Sequence, residues 1–189
     1  VATDGHRLHL APLPVAVTQP LLLPAEGAGT LNRILNKGEQ VILAQAGEVL
    51  RAKVGPYQLD IRLSDKKFPP YNQVIPNQDN QPTHIQVQAK LLSKALTRVS
   101  RLTCDKRLKL RINGSITMTT WESEEGAAEI EVPVSRSNHE GEDLHIGFDA
   151  PYLQQAVAKG VEEVELGFAG ELDPLRVDQV GGRVAVIMP

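Results

Sequence analysis

The side chains best suited by type and spacing to do chemistry stand at the start of the chain, where Asp4, His6 and His9 lie close together. A carboxylate beside two imidazoles could hold a divalent metal or relay a proton. The local pattern suits neither role. On a strand, residues 4 and 6 share a face and residue 9 does not, and the Asp4-Gly5 turn breaks the rigidity a ligand array needs. His84, His139 and His145 stand alone in the sequence and supply no further ligands, so no metal site is expected. Cys104 is the only cysteine. One thiol allows neither an intrachain disulfide nor a Cys-based zinc site. The helical pattern puts Cys104 at a helix C-terminus, where the dipole opposes a thiolate despite Lys106 and Arg107 nearby, so it reads as a small apolar residue. Glu122, Glu124 and Glu125 form an acidic tip on a hairpin loop and read as solvated surface. Neither a phosphate-cradling glycine loop nor a helical His-Glu-x-x-His metal motif is present. The sequence holds no catalytic constellation and implies no cofactor.

The elements that position these residues repeat along the chain. Apolar spacing predicts helices over residues 30–37, 89–103 and 150–160. Leu31, Ile34 and Leu35 mark the first, and Leu91, Leu92, Ala95, Leu96, Val99 and Leu102 form a stripe on the second. Leu153, Ala156 and Val157 mark the third, behind Asp149 as N-cap and before Gly160. A short extended segment precedes each helix (19–23, 84–87, 144–148), and three strands follow each one. These cover 41–44, 49–54 and 58–63, then 108–112, 116–121 and 128–134, then 164–168, 175–178 and 183–188, with turns such as Asn113-Gly114 and Gly181-Gly182 between them. The unit is strand, helix, three strands, recurring about every 60 residues. The expected class is α+β, with helices on one face of antiparallel sheets. Residues 1–18 read as the closing two strands of an earlier unit, so the expectation is a fragment that begins inside a domain. The Pro-rich polar stretch 65–80 suits a linker.

Charge is placed unevenly. The chain carries 20 basic and 23 acidic residues, a net charge of -3, so any nucleic-acid partner must meet a local basic surface. The helices, read as 30–38, 89–104 and 150–160, contain no Asp or Glu. On the second, Lys90, Lys94, Arg98 and Arg101 share one narrow sector; Arg33, Lys37 and Lys159 extend the pattern. An ordinary solvated helix face mixes charge signs, because Glu-to-Lys pairs stabilise it. A one-sign face suits the phosphates of duplex DNA without sequence preference. The few aromatics do not interleave with the ridge as single-strand stacking requires. No apolar run approaches the roughly 20 residues of a spanning helix, and the default compartment is the cytoplasm.

Three strings carry a resemblance: Val1-Ala2-Thr3-Asp4-Gly5-His6-Arg7-Leu8, Phe68-Pro69-Pro70-Tyr71-Asn72-Gln73-Val74-Ile75-Pro76, and Ile146-Gly147-Phe148-Asp149 with the ending Val184-Ala185-Val186-Ile187-Met188-Pro189. In order and spacing the chain resembles the bacterial DNA polymerase III beta subunit, the sliding clamp. The resemblance implies a non-enzymatic processivity factor, a homodimeric ring of three domains per subunit with helices lining the hole around duplex DNA. It implies that residues 1–67 are the second half of the middle domain and 68–189 the last domain. Partner peptides of polymerase subunits, clamp loader and repair proteins would dock between those domains. Thr3, Gly5, His6, Arg7 and Leu8 would form one wall, Pro69 and Val74 would come from the linker, and Asp149, Tyr152, Leu172, Pro174, Val186, Met188 and Pro189 from the last domain. Arg101 and Leu102 match a subunit-contact region. The sequence departs from the family at Ala25-Glu26, where a basic pair is common, and at Pro189, beyond which the family commonly continues. The alternative is a truncated clamp that binds peptides without encircling DNA.

Overall fold

A computed structural model describes residues 1–13, 19–35, 40–102, 106–121, 126–157 and 160–189. In chain order the strands and helices are β1 (Ala2–Thr3), β2 (Arg7–Leu10), α1 (Ala25–Ile34), β3 (Val41–Ala46), β4 (Val49–Val54), β5 (Tyr57–Arg62), β6 (Thr83–Gln88), α2 (Ala89–Leu102), β7 (Arg107–Ile112), β8 (Ile116–Thr120), β9 (Glu129–Val132), β10 (Arg136–Ser137), β11 (Leu144–Asp149), α3 (Ala150–Ala156), β12 (Glu163–Phe168), β13 (Leu175–Gln179) and β14 (Arg183–Ile187). They fall into two compact units, Val1–Leu13 with Tyr71–Pro189, and Pro14–Pro70.

The larger unit is built on α2. Its buried side chains Leu92, Ala95, Leu96 and Val99 recur at helical spacing, so the whole stripe can be removed from water at once, each large aliphatic contributing about 1.5–3 kcal/mol. Under it lie Leu108, Leu110, Ile112, Ile116 and Met118 from β7 and β8, with Ile146 and Phe148 from β11. Strict alternation along β7, with Leu108, Leu110 and Ile112 buried, turns Arg107 and Lys109 to the opposite face and leaves both exposed. The two strand-helix-three-strand units are interlocked. One sheet has the order β11-β7-β8-β9 and the other β1-β2-β14-β13-β12-β6-β10, so the strand before each helix pairs with the first strand after the other helix. Local pattern cannot reveal this exchange, because both arrangements bury the same residues.

The smaller unit has a three-stranded meander, β3-β4-β5, whose Leu50, Ala52, Val54 and Ile61 are buried. Helix α1 reaches it at Gly27, where a Cβ would collide with the Ile61 side chain. Arg51 and Asp60 face one another across β4 and β5 in a two-bond ion pair, both bonds 2.7 Å.

Several expectations change. Residues 19–23 form no strand, although the Ser64 N–H donates to the Leu22 carbonyl at 2.9 Å. Helix α1 begins at Ala25, directly after Pro24 as N-cap, and has Glu26 in its first turn. An acid at a helix N-terminus is favoured by the dipole, so the acid-free character holds for α2 and α3 and not for α1. Asp149 occupies the N-cap of α3 but makes no side-chain capping bond, and α3 is shorter than its pattern, with Val157 as C-cap. Leu102 lies 63% exposed although its spacing places it on the apolar stripe. β10, unmarked by any apolar pattern, pairs with β6. Lys37, Cys104, Lys159, Glu122, Glu124 and Glu125 lie outside the described residues.

Candidate functional site

The first residues form a hairpin closed by its own polar groups. Thr3 pairs with Leu8, and the Thr3 hydroxyl donates to the Arg7 carbonyl at 2.7 Å while accepting from the Gly5 N–H at 3.2 Å. Gly5 takes φ +93°, which only glycine adopts freely. Asp4 accepts from the His6 and Arg7 N–H groups, each at 3.1 Å, and from Arg7 Nε at 2.9 Å. Partial burial opposes ionisation of Asp4. The backbone N–H of His6, the Arg7 guanidinium and the Arg7 N–H outweigh it together and hold the carboxyl below its ordinary range. His9 is held below its usual value by burial first and the nearby Arg7 charge second, against the pull of Asp4. Asp4 is thus spent on the turn, and among the described residues no cluster of three or more His, Cys, Asp or Glu could hold a metal.

The hairpin is tied to the chain's other end. The Met188 N–H donates to the His6 carbonyl at 2.9 Å, extending the β2–β14 ladder in which Leu8 pairs with Val186. The Arg7 guanidinium lies 4.5 Å from the centre of the Tyr152 ring and donates to Gln155 Oε1 at 2.7 Å. The His6 ring stacks on the same tyrosine, 6.1 Å between centroids at an interplanar angle of 19°.

This junction separates two hollows. On one side Ala2, Thr3, Asp4, Arg7, His9 and Gln155 line about 290 Å3. On the other, about 380 Å3 is bounded by His6, Asp149, Tyr152, Met188 and Pro189, and continues over Phe148, Gly147, Leu108, Arg107 and Trp121. The second has an apolar floor with a few polar groups, the composition of a site for an extended apolar ligand. Asp149 Oδ1 is shielded there and has no hydrogen-bond partner among the described residues. A larger hollow of about 520 Å3 is lined by Gln78, Asp79, Gln81, His84, Arg136 and Glu165 among others. Its lining is more polar than apolar, whereas that of the smaller hollow is mainly apolar, so the smaller hollow suits an apolar anchor better.

The expected wall residues are distributed as follows. His6, Asp149, Tyr152, Met188 and Pro189 meet in one hollow, and Thr3 and Arg7 line the other. Gly5 supplies the turn. Leu8 and Val186 are buried side by side on the sheet face away from Ala185 and Ile187. Val74 and Leu172 are exposed, Leu172 at 89%, and Pro174 is half-buried; none of the three lines a described hollow. Pro69 belongs to the smaller unit. Trp121, Gln155, Arg107 and Leu108 were not expected. The signal for the first was available: Arg107 and Lys109 alternate on a strand beside the chain's single Trp.

Lys90, Lys94, Arg98 and Arg101 are all exposed along α2, and no described carboxylate forms an ion pair with them. Arg33 on α1 is also exposed and donates to Thr30 Oγ1 at 2.9 Å. Among the described residues no helix is long and apolar enough to cross a membrane.

A fold of repeated strand-helix-three-strand units on antiparallel sheets is that of the sliding clamps. Solved clamps from Bacillus subtilis and Pseudomonas aeruginosa superpose with TM-scores of 0.86 and 0.84, each at 26% identity, covering all of this chain and 52% and 53% of theirs. The beta sliding clamp of Caulobacter vibrioides is 35% identical over 200 residues and that of Proteus mirabilis 32%. The family described as DNA polymerase III beta subunit, C-terminal domain, matches residues 72–189. The chain belongs to the bacterial DNA polymerase III beta subunit family, whose members are sliding clamps and not enzymes. It spans about half the length of the curated relatives it matches.

Proposed function

We propose that this chain acts as the carboxyl-terminal part of a sliding clamp, with residues 1–67 ending the middle domain and 68–189 forming the last. In this reading it helps tether a polymerase to duplex DNA in the cytoplasm, and it docks short peptides of polymerase subunits, clamp loader and repair proteins. The observation that carries the reading is the hollow where His6, Tyr152, Asp149, Met188 and Pro189 meet. An apolar side chain would fill it over Met188 and Tyr152, and a peptide N–H would satisfy Asp149 Oδ1. Thr3, Gly5, Arg7 and Leu8 hold that geometry, while Pro69, Val74, Leu172, Pro174 and Val186 contribute through the family resemblance.

Duplex DNA is met by the backbone-directed cations Lys90, Lys94, Arg98 and Arg101, with Arg33 and Lys37 in support. Arg101 and the exposed Leu102 also serve a homodimer contact.

The test is fluorescence anisotropy of a labelled short peptide with a Leu-Phe anchor. Saturable binding, displaced by unlabelled peptide and lost in Met188→Glu, is expected. A peptide that fails to bind, or that binds Met188→Glu equally well, rejects the docking role.

A further inference from the structure

We infer that Trp121 and Lys109, with Arg107, form an additional subsite continuous with this hollow, and that it takes an acidic side chain of the docked peptide. The inference rests on the docking role proposed above.

Its construction begins with the strand pair β7 and β11. Gly147 pairs with Lys109 across β11 and β7, and a Cβ on Gly147 would stand 4.0 Å from Cζ3 of Trp121. The indole thus extends across the sheet as far as β11, at a separation that a Cβ on Gly147 would meet in ordinary van der Waals contact. Two cations lie on the ring: Lys109 Nζ is 4.3 Å from its centroid and the Arg107 guanidinium 5.1 Å. Such a contact holds the long, flexible Lys109 side chain in place and keeps its charge available to an incoming anion. Trp121 remains 41% exposed. On the same sheet face, Arg111 approaches Glu129 and Asp143, each at 3.9 Å, whereas no described carboxylate pairs with Lys109.

The occupant follows from charge and position. Arg107 and Trp121 line the same hollow as Tyr152 and Met188, so a peptide anchored there passes beside the cations. Leu108 and Leu110 turn inward to the core around α2, which puts Lys109 on the sheet face opposite that helix. DNA held along α2 does not reach this shelf.

The experiment compares three labelled peptides with one Leu-Phe anchor: a Glu pair before it, a Glu pair after it, and Gln in place of every Glu. Affinity is read by anisotropy, and emission of Trp121, the only tryptophan, reports on the shelf. One acidic peptide is expected to bind about threefold or more tighter than its Gln twin at low salt and to shift Trp121 emission. Lys109→Gln should remove the advantage while the Gln peptide binds as before. Equal binding of all three, or an advantage that survives Lys109→Gln, overturns the subsite and leaves the docking role standing. Failure of all three to bind overturns both. A duplex oligonucleotide whose affinity falls in Lys109→Gln, with the acidic advantage absent, assigns the shelf to nucleic acid and overturns the proposal.

Discussion

The guanidinium of Arg7 sits 4.5 Å over the ring of Tyr152, joining a hairpin at one end of the chain to α3 near the other. Arg7 also holds Asp4 at 2.9 Å and Gln155 at 2.7 Å, so one side chain sets both the turn and the wall between the two hollows. The ring is the shared element, because His6 stacks on it as well.

Replacing that ring should therefore cost affinity more than stability. Tyr152→Ala is expected to weaken anchor-peptide binding about tenfold. Tyr152→Phe, which keeps the ring surface and the cation contact, should change it less than about threefold. Parallel anisotropy titrations with a thermal melt of each variant check both.

Acid should loosen the hairpin through Asp4. Its carboxyl is held below the ordinary range in the folded state, so the folded protein binds fewer protons there than the unfolded chain. The stabilisation is present above about pH 4, the unfolded Asp value, and is lost as pH falls through the lowered folded one. Hydrogen exchange of the His6 and Arg7 amides against pH should show protection falling in that window, and Asp4→Asn should remove the dependence.

Gly167→Ala should destabilise the larger sheet by about 1–3 kcal/mol. A Cβ there would overlap the amide of Gln81, which is 2% exposed and donates from Nε2 to the Gly167 carbonyl at 2.8 Å. Urea unfolding of the single variants and of the Gln81→Ala/Gly167→Ala double variant is the measurement. The double variant should lose less than the sum of the singles, because the overlap disappears with the amide.

Charge reversal on α2 should weaken duplex association. Lys94→Glu and Arg98→Glu are each expected to lower affinity for a duplex oligonucleotide and to reduce the slope of log K against log salt by about one. Both side chains are exposed, so folding should be little altered, which circular dichroism can verify. Unchanged affinity in both variants would remove α2 from the DNA-facing surface.

Much of this protein is determined by local pattern. The alternation of Leu108, Leu110 and Ile112, the helical spacing of Leu92, Leu96 and Val99, and turn pairs such as Asn113-Gly114 specify which segments are strand, helix and turn, since each depends on neighbours a few residues away. The single-sign ridge of α2 was legible for the same reason. Helix α1 was misplaced because Gly27 looks unhelical until Ile61 is seen against it. Only the tertiary structure decided that β11 pairs with β7 and β6 with β12, that Asp4 serves a turn, and that Trp121 reaches across the sheet to Gly147. These are contacts between segments far apart in sequence, chosen by packing the whole chain, and no short window contains them.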